Sequence, residues 1–535
     1  MQEWPLEPWI QPQWLLGAYP VLKTLFGILA IVWLVALLRY SVQGPSRKAI
    51  GRAYRIFFLL IAVAAGGILF YQATWQLTGF ARPDFVEFMR VYNHRPDNPV
   101  RRMVRGRIVD SQGRLLAVSS DDATGRRWYP QRYVMAHAVG YQHHRYGLAG
   151  IEAADHALLS GLVDTVNPDW GQIQQSILQR ERLRGRDIQM TLDLDLQRAA
   201  HEAMQGRPGA VVFLDLSDGS LLVCYSSPGF DPNQLNPTLF ERNDAAAPLL
   251  NRALRGLYPP GSSFKLLVAA AALEIGLQPV FDTPPDGFTA TGANQPIRDH
   301  QYYAASRAGR RWRGYGPLSM REAFAKSSNT YFARLGVTMG GAQLYAVAEQ
   351  SGMTRAWTIH SGSSATMGSV AARFPPLTDP QEAATAQISI GQGELLVTPL
   401  HMALLAGAAG NGGDVWQPRI ATHISPQRVE PFFSQPTAEK LAEMMRQAVA
   451  GGTGRAADFR GVEVAGKTGT AQNPHGNDHG WFIGFAPAAH PRVAFAVIVE
   501  QGGFGSESAL PVARTVLQAA QRAGWLDRNA DEGRR

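Results

Sequence analysis

The sequence predicts a large α/β (α+β) domain, an antiparallel sheet flanked by helices, carried on a small pedestal behind a membrane-spanning helical hairpin. Three observations predict it. Near the N-terminus two apolar runs, "TLFGILAIVWLVALL" (Thr24 to Leu38) and "IFFLLIAVAAGGILFY" (Ile56 to Tyr71), enclose an all-basic segment. Farther on, "GAVVFLDLSDGSLLVCYSSP" (Gly209 to Pro228) is two apolar runs joined by Ser217-Asp218-Gly219-Ser220, a hairpin signal, and three more strand-like runs follow one another late in the chain. Between them, "SSFKLLVAAAALEIGL" (Ser262 to Leu277) is apolar on nearly all sides and rich in alanine, the pattern of a helix buried in a core.

The two N-terminal runs, taken as 17–38 and 56–77, each reach the roughly 20 residues that a bilayer requires, with Lys23 placed to snorkel. Arg39, Arg47, Lys48, Arg52 and Arg55 give the connecting segment 39–55 only basic charges, with no acidic residue. The positive-inside bias places that loop in the cytoplasm. The tail 1–16, with Glu3 and Glu7 and no basic residue, then lies outside, together with everything after the second span. Trp4, Trp9, Trp14 and Trp75 suit interfacial belts. A cleavable signal is the competing reading of the second run, but its small residues "AVAAGG" fall inside the apolar stretch, which favours a retained anchor. The expected location is the cytoplasmic (inner) membrane, with the bulk of the chain on the extracytoplasmic, periplasmic side. A protein placed there needs a substrate outside and cannot count on ATP.

Across 535 residues the net charge is +8, with 45% apolar and 18% charged residues, ordinary values for a folded chain of two or three domains. No nucleic-acid signature accompanies the basic excess, so no nucleic-acid partner is expected. The single cysteine, Cys224, excludes an intramolecular disulfide and a cysteine-based zinc site. Its apolar strand-like surroundings predict a buried, inert thiol.

After the second span, 78–185 reads as a short pedestal or linker, with Gln112-Gly113 a turn between extended runs in "RGRIVDSQGRLLAV" (Arg105 to Val118). The main domain spans 186–525. "GRDIQMTLDLDLQRAAHEAM" (Gly185 to Met204) predicts a short strand leading through Thr191 and Asp193 caps into an amphipathic helix. "GVEVAGKTGTA" (Gly461 to Ala471), "GWFIGFAP" (Gly480 to Pro487) and "RVAFAVIVE" (Arg492 to Glu500) predict consecutive antiparallel strands, and "ALPVARTVLQAAQRAGW" (Ala509 to Trp525) a closing helix. The polar tail 526–535 is expected to be disordered.

The chemistry concentrates in "YPPGSSFKLL" (Tyr258 to Leu267). Ser262 there fits either a helix N-cap or a nucleophile. Lys265 decides nothing alone, since Ser-x-x-Lys arises easily by chance. On a helix, however, positions i and i+3 share a face, so the lysine reaches the serine hydroxyl. Burial and the positive helix end both disfavour the ammonium, which suits a general base, and an alcohol needs one to attack an acyl group. "KSSNTYF" (Lys326 to Phe332) adds Ser327, able to relay a proton to a leaving nitrogen, and Asn329, able to hold a substrate amide. "GKTGTA" (Gly466 to Ala471) adds Lys467, which either attracts a carboxylate or supports Ser327, and Thr468 beside it. Gly469 leaves room for a close backbone approach, and the Thr470 amide can pair with that of Ser262 as an oxyanion hole.

These three motifs in this order resemble the class B, monofunctional penicillin-binding proteins, of penicillin-binding/β-lactamase-like transpeptidase fold. The likeness extends to "RGRIVDSQGRLLA", "YGLAGIE", "LDLDLQ", "ISIGQGELLVTPLHMA" and "GWFIGFAP", covering most of residues 105 to 520. The resemblance implies a serine D,D-transpeptidase that cross-links peptidoglycan outside the cytoplasmic membrane. Ser262 would attack the D-Ala-D-Ala bond of a donor stem peptide, an acceptor amine would resolve the acyl-enzyme, and β-lactams would acylate the same serine. The implied site is Ser262, Lys265, Ser327, Asn329 and Lys467 for catalysis, with Thr468, Gly469 and Thr470 for substrate. No metal or organic cofactor is implied. Relatives usually work beside a membrane-embedded glycan polymerase of the SEDS family, a partner that the absence of a glycosyltransferase domain before Ser262 also suggests.

Two features depart from the family pattern: two predicted spans in place of one, and a short pedestal. A D,D-carboxypeptidase would share the acylation and differ in letting water resolve it. Nothing clearly supplies the glutamate-bearing loop of a class A β-lactamase, and a cytoplasmic loop of about fifteen residues is too small for a sensor's effector domain. A non-catalytic β-lactam-binding scaffold would not need intact motifs. Among lesser signals, "HEAMQ" (His201 to Gln205) lacks a second zinc-ligating histidine, and "RAGRRWRGYG" (Arg307 to Gly316) reads as a solvated loop. Gly391-Gln392-Gly393 reads as a turn, and His479 and Trp481 either line the cleft or pack beneath it.

Overall fold

The computed structural model describes residues 104–120, 125–161, 185–240, 246–362, 364–377, 381–474 and 476–527, with scattered positions between 51 and 67. These fall into two units. In the first, the described positions between 51 and 67 are helical, and Tyr54, Ile56, Leu60, Ile61 and Val63 are exposed. The span expected at 17–38 lies outside the described residues, as do most of 39–55 and 56–77 and all but Leu526 and Asp527 of the tail. Among the described residues no helix is long and apolar enough to cross a membrane.

The second unit begins with the pedestal sheet. Strands β1 (Ile108–Val109), β2 (Leu115–Ser119), β3 (Arg127–Trp128) and β4 (Ile188–Gln189) lie in the order β3-β2-β1-β4, with β1 antiparallel to β2 and parallel to β4. The β1–β2 turn forms where expected. Buried Asp110 accepts from the amides of Gln112 (3.0 Å) and Arg114 (2.7 Å), and Gly113 takes φ +80° at no steric cost. Two short helices, α1 (Gly150–Ala154) and α2 (His156–Leu159), complete the pedestal. Glu152 on α1 is fully buried between the guanidinium groups of Arg105 and Arg127, which compensate a carboxylate that would otherwise be costly to desolvate.

Helix α3 (Leu194–Met204) is capped by Asp193, whose carboxylate accepts from the amides of Asp195 and Leu196. Thr191 is not a cap, contrary to expectation. Its hydroxyl donates to the Leu221 carbonyl at 2.7 Å and so ties the pedestal strand to the main sheet.

That sheet has strands β5 (Gly209–Asp215) and β6 (Leu221–Ser227) from the expected hairpin, and β9 (Ala465–Ala471), β10 (His479–Ala486) and β11 (Val493–Val499) from the end of the chain. The order is β9-β10-β11-β5-β6, antiparallel throughout. Between β6 and β9 the chain builds α4 (Lys265–Glu274), α5 (Met320–Lys326), α6 (Asn329–Met339), the hairpin β7 (Thr358–Ser361) and β8 (Thr366–Gly368), then α7 (Pro399–Gly410) and α8 (Gln435–Ala450). Helix α9 (Gly505–Arg522) closes the domain.

Both faces of the sheet are covered, which is why its strands read as continuous apolar runs. Val211, Phe213, Phe482, Phe495 and Val497 pack with Leu196, Leu510 and Val516 of α3 and α9. The alternate residues Val212, Leu214, Ile483, Ala494 and Ala496 pack in the other core with Leu400, Leu404 and Leu405 of α7. Cys224 is fully buried on this sheet, and burial pushes its thiol up to about 12, the inert state expected of it. Strand β9, at the sheet edge, brings Lys467 and Gly469 to the elements that carry the serines.

Candidate active site

Ser262 does not cap a helix. It sits within a single 3₁₀ turn, Gly261–Phe264, whose flanking cap residues Pro260 and Phe264 make no side-chain cap hydrogen bond. The cap reading fails for a geometric reason. Three residues per turn eclipse positions i and i+3, so the tighter winding sets Lys265 directly beside Ser262 and turns the hydroxyl toward the lysine. Lys265 Nζ is 3.1 Å from Ser262 Oγ, and Ser262 remains partly exposed while Lys265 is fully buried.

The turn is held from several sides. Trp481 donates its indole N–H to the Pro259 carbonyl at 3.0 Å, and the Gly261 amide donates to the Gly391 carbonyl at 2.9 Å. The Ser263 hydroxyl donates to the Pro260 carbonyl at 2.7 Å. Tyr258 exchanges backbone hydrogen bonds with Val397, and its hydroxyl donates to Glu500, which also receives Arg252. A Cβ on Gly391 would collide with the Gly261 backbone, and one on Gly261 with the Thr470 carbonyl. Gly469 faces the Pro260 carbonyl and the Ser263 amide, so the close backbone approach it permits is that of the chain's own Ser262 turn. Trp481 is therefore a packing residue. His479, partly exposed, accepts from the Gln501 amide at 3.0 Å.

The second motif meets the first from the junction of α5 and α6. Ser327 closes α5 in the left-handed region, φ +57°, and Ser328 caps α6 by accepting from the Tyr331 amide. The reversal presents the Ser327 carbonyl 2.7 Å and its hydroxyl 3.4 Å from Lys265 Nζ, and Asn329 Oδ1 2.7 Å from it. From β9, Lys467 Nζ donates to Ser327 Oγ at 2.9 Å and to the Thr468 carbonyl at 3.0 Å. Of the two roles open to Lys467, support of Ser327 is the one seen. Thr468 turns its hydroxyl to that of Thr453, and Thr470 lies on the same edge strand.

Burial disfavours the charged form of both lysines. Burial drives the Lys265 ammonium well below its ordinary value, the positive charge of Lys467 adds to this, and Asp299 opposes it. Burial alone brings Lys467 down to about 7.

Asp299 was missed in the sequence. It is buried, and its Oδ1 receives the Asn329 amide at 2.6 Å, the Ser328 hydroxyl at 2.9 Å and the Thr330 amide at 3.2 Å. It thus positions the whole Ser327–Asn329 reversal. No local signal marks it, because "RDH" (Arg298 to His300) has no motif character. Gly391 was visible only as part of a turn. Of the expected solvated loop 307–316, residues 307–311 and Arg313 are exposed, but Trp312, Gly314, Tyr315 and Gly316 are half-buried, with Trp312 packed edge to face on Tyr315.

A family profile for the penicillin binding protein transpeptidase domain matches residues 209–518, with all three motifs inside it. The chain belongs to the penicillin-binding protein transpeptidase family. The resemblance to class B penicillin-binding proteins is thereby borne out, and the transpeptidase fold with it. A profile for the penicillin binding protein A dimerisation domain matches residues 105–186. The chain is 33% identical over 463 residues to the peptidoglycan D,D-transpeptidase PbpA of Mycolicibacterium smegmatis, covering 78% of this chain and 89% of that protein. Among solved structures it is similar to penicillin-binding protein A from M. tuberculosis as its ceftriaxone acyl-enzyme, with TM-score 0.69 and 30% identity, covering 79% of this chain and 99% of that one. The penicillin G acyl-enzyme of the same protein gives TM-score 0.66 at 31% identity, over 78% and 100% of the two chains.

Proposed function

We propose that this penicillin-binding transpeptidase is a membrane-anchored serine D,D-transpeptidase that cross-links peptidoglycan stem peptides through an acyl-enzyme on Ser262. The observation that carries the residue assignment is the convergence of Ser262, Ser327 and Asn329 on one fully buried amine, Lys265 Nζ.

A neutral lysine has two N–H groups and one lone pair. The Ser327 carbonyl and Asn329 Oδ1, both acceptors at 2.7 Å, take the two N–H groups, which leaves the lone pair for the Ser262 O–H. Ser262 Oγ then attacks the carbonyl carbon of the penultimate D-Ala as its proton passes to Lys265. The amides of Ser262 and Thr470 stabilise the oxyanion. When the C–N bond breaks, the leaving D-Ala nitrogen receives a proton through Ser327, which stands between Lys265 and Lys467. In the second half, the acceptor amine attacks the ester carbonyl, its proton returns through the same groups, and Ser262 Oγ leaves as the hydroxyl. The edge strand that carries Thr468, Gly469 and Thr470 is the one along which the substrate backbone lies, while Gly469 itself leaves room for the Ser262 turn. A β-lactam enters the same sequence as donor and stops at the acyl-enzyme.

Anchoring through the segments 17–38 and 56–77, with the domain on the periplasmic side, rests on their apolar character and on the basic loop between them. The partner we propose is a SEDS-family glycan polymerase in that membrane. Co-purification from native membranes that recovers no such polymerase would count against it.

The reaction is tested with lipid-linked donor and acceptor stem peptides. Cross-linked dimers should accumulate with release of D-Ala. Accumulation of trimmed monomers alone would instead make the enzyme a D,D-carboxypeptidase.

A further inference from the structure

Apart from the residues of the Ser262 site, three side chains from distant parts of the chain converge. Asp155, between α1 and α2, has a fully buried side chain, and its Oδ1 lies 2.8 Å from Nε2 of the equally buried His360 on β7. Its Oδ2 makes no hydrogen bond and approaches Nε2 of His423 at 3.5 Å. The two imidazole rings meet edge to face, 5.2 Å between centroids. One donor atom from each residue lies within 4.8 Å of the others.

A buried carboxylate oxygen met only by an imidazole nitrogen at 3.5 Å is weakly compensated, and a cation between them would complete it. Two imidazoles with one carboxylate form a donor set that zinc takes, as other first-row metals such as iron(II) also do. Magnesium and calcium favour oxygen ligands. Metal bonds of about 2.0–2.2 Å in a tetrahedral site put donors about 3.3 Å apart. Here Oδ1 lies 2.8 Å from His360 and Oδ2 3.5 Å from His423, and one donor atom from each residue falls within 4.8 Å of the others, so a small inward shift of the exposed His423 would close the set. The side chain of His423 is 36% exposed, which gives water access to a fourth position.

We propose that Asp155, His360 and His423 form a zinc site, completed by water, that fastens the pedestal to the transpeptidase domain. The three segments already touch by weaker means. The Ser364 amide, in the β7–β8 turn, donates to the Ala154 carbonyl at 3.1 Å, and the Ser364 hydroxyl receives the Ala157 amide at 3.1 Å. The loop carrying His423 is tied to β4 by the Thr422 amide, which donates to the Gln189 carbonyl at 2.9 Å. A shared ion adds a clamp at their meeting point. It is independent of the acyl-transfer assignment, since none of the three residues belongs to that site.

The test uses the full chain in detergent, without a polyhistidine tag, stripped with a chelator and titrated with zinc chloride against a chromophoric competitor. One zinc per chain should bind, the unfolding midpoint should rise with zinc, and cobalt(II) should give the strong visible absorption of a tetrahedral site. Asp155→Asn and His423→Ala should each weaken zinc at least about 100-fold, the upper end of what loss of an outer-shell partner costs, and abolish the midpoint shift. His423→Ala lies on an exposed loop, so it decides alone if Asp155→Asn fails to unfold cooperatively. Failure of the native chain to bind zinc, or one zinc retained by His423→Ala, overturns the proposal.

Discussion

Asn329 Oδ1 and Lys265 Nζ stand 2.7 Å apart, and the amide orientation that this requires is fixed from the far side, where Asn329 Nδ2 donates to the Arg298 carbonyl at 3.2 Å. The lysine therefore meets an acceptor at Asn329 and another at the Ser327 carbonyl. Its third position faces Ser262.

Ser262→Ala should abolish covalent labelling by fluorescent penicillin without changing the unfolding midpoint, because the hydroxyl caps nothing. Lys265→Met should slow labelling by roughly 10²–10⁴, the range of general base catalysis. Undiminished labelling of Ser262→Ala would remove that serine from the nucleophile's role.

The acylation rate should rise with pH through the titration of Lys265, since only the neutral amine accepts the Ser262 proton. Burial, then Lys467, lower that pKa, while Asp299 raises it. Asp299→Asn keeps an acceptor for Ser328 and Asn329 but loses the charge, so the profile of penicillin acylation should move to lower pH. A profile that stays in place or moves upward contradicts the assignment of Lys265 as base.

Lys467 gives a stability signature separable from activity. Its folded pKa of about 7 lies below the ordinary lysine value of 10.5, so the unfolded chain binds more protons between these values. The contribution of this group is fully present above about 10.5, falls as pH drops toward about 7, and levels off below that. Denaturant unfolding of native and Lys467→Met chains across this window should show a steeper gain of stability with pH in the native chain. Parallel curves would mean that Lys467 is not desolvated as described.

Gly391 and Gly393 make an internal control for the support beneath Ser262. Both have positive φ, +75° and +76°, but only at Gly391 does a Cβ strike the Gly261 backbone. At Gly393 it meets the Gln387 side chain at 3.4 Å, an ordinary contact. Alanine at either should cost about 1–3 kcal/mol of backbone strain, and only Gly391→Ala should also slow penicillin acylation strongly. Equal effects of the two substitutions on acylation would refute a supporting role for this turn.

Much of the site was legible because its three motifs are local patterns with local reasons. Ser262 and Lys265 share a turn, Ser327 and Asn329 flank a helix junction, and Lys467 to Thr470 share a strand. Asp299 was not legible. Its partners are the amides and hydroxyl of residues 328–330, and a single aspartate thirty positions upstream carries no periodicity that announces a contact. The cluster of Asp155, His360 and His423 was hidden for the same reason, its members being more than two hundred residues apart at the widest. The 3₁₀ turn at Ser262 escaped because apolar periodicity marks a helix without distinguishing its first tight turn.

By itself the sequence determined the strands of the main sheet, the buried helix after Ser262 and the three short motifs that carry the proposed reacting groups, since hydrophobic pattern, turn chemistry and short spacings act within a few residues. Only the tertiary structure decided that Ser262 is turned to Lys265 rather than to a helix end. It also decided that Lys467 serves Ser327, that Gly469 admits the chain's own backbone, and that Asp299 holds the second motif in place. Those outcomes depend on which segments the two-faced sheet brings together, and long-range packing selects among local possibilities that the sequence leaves equally open.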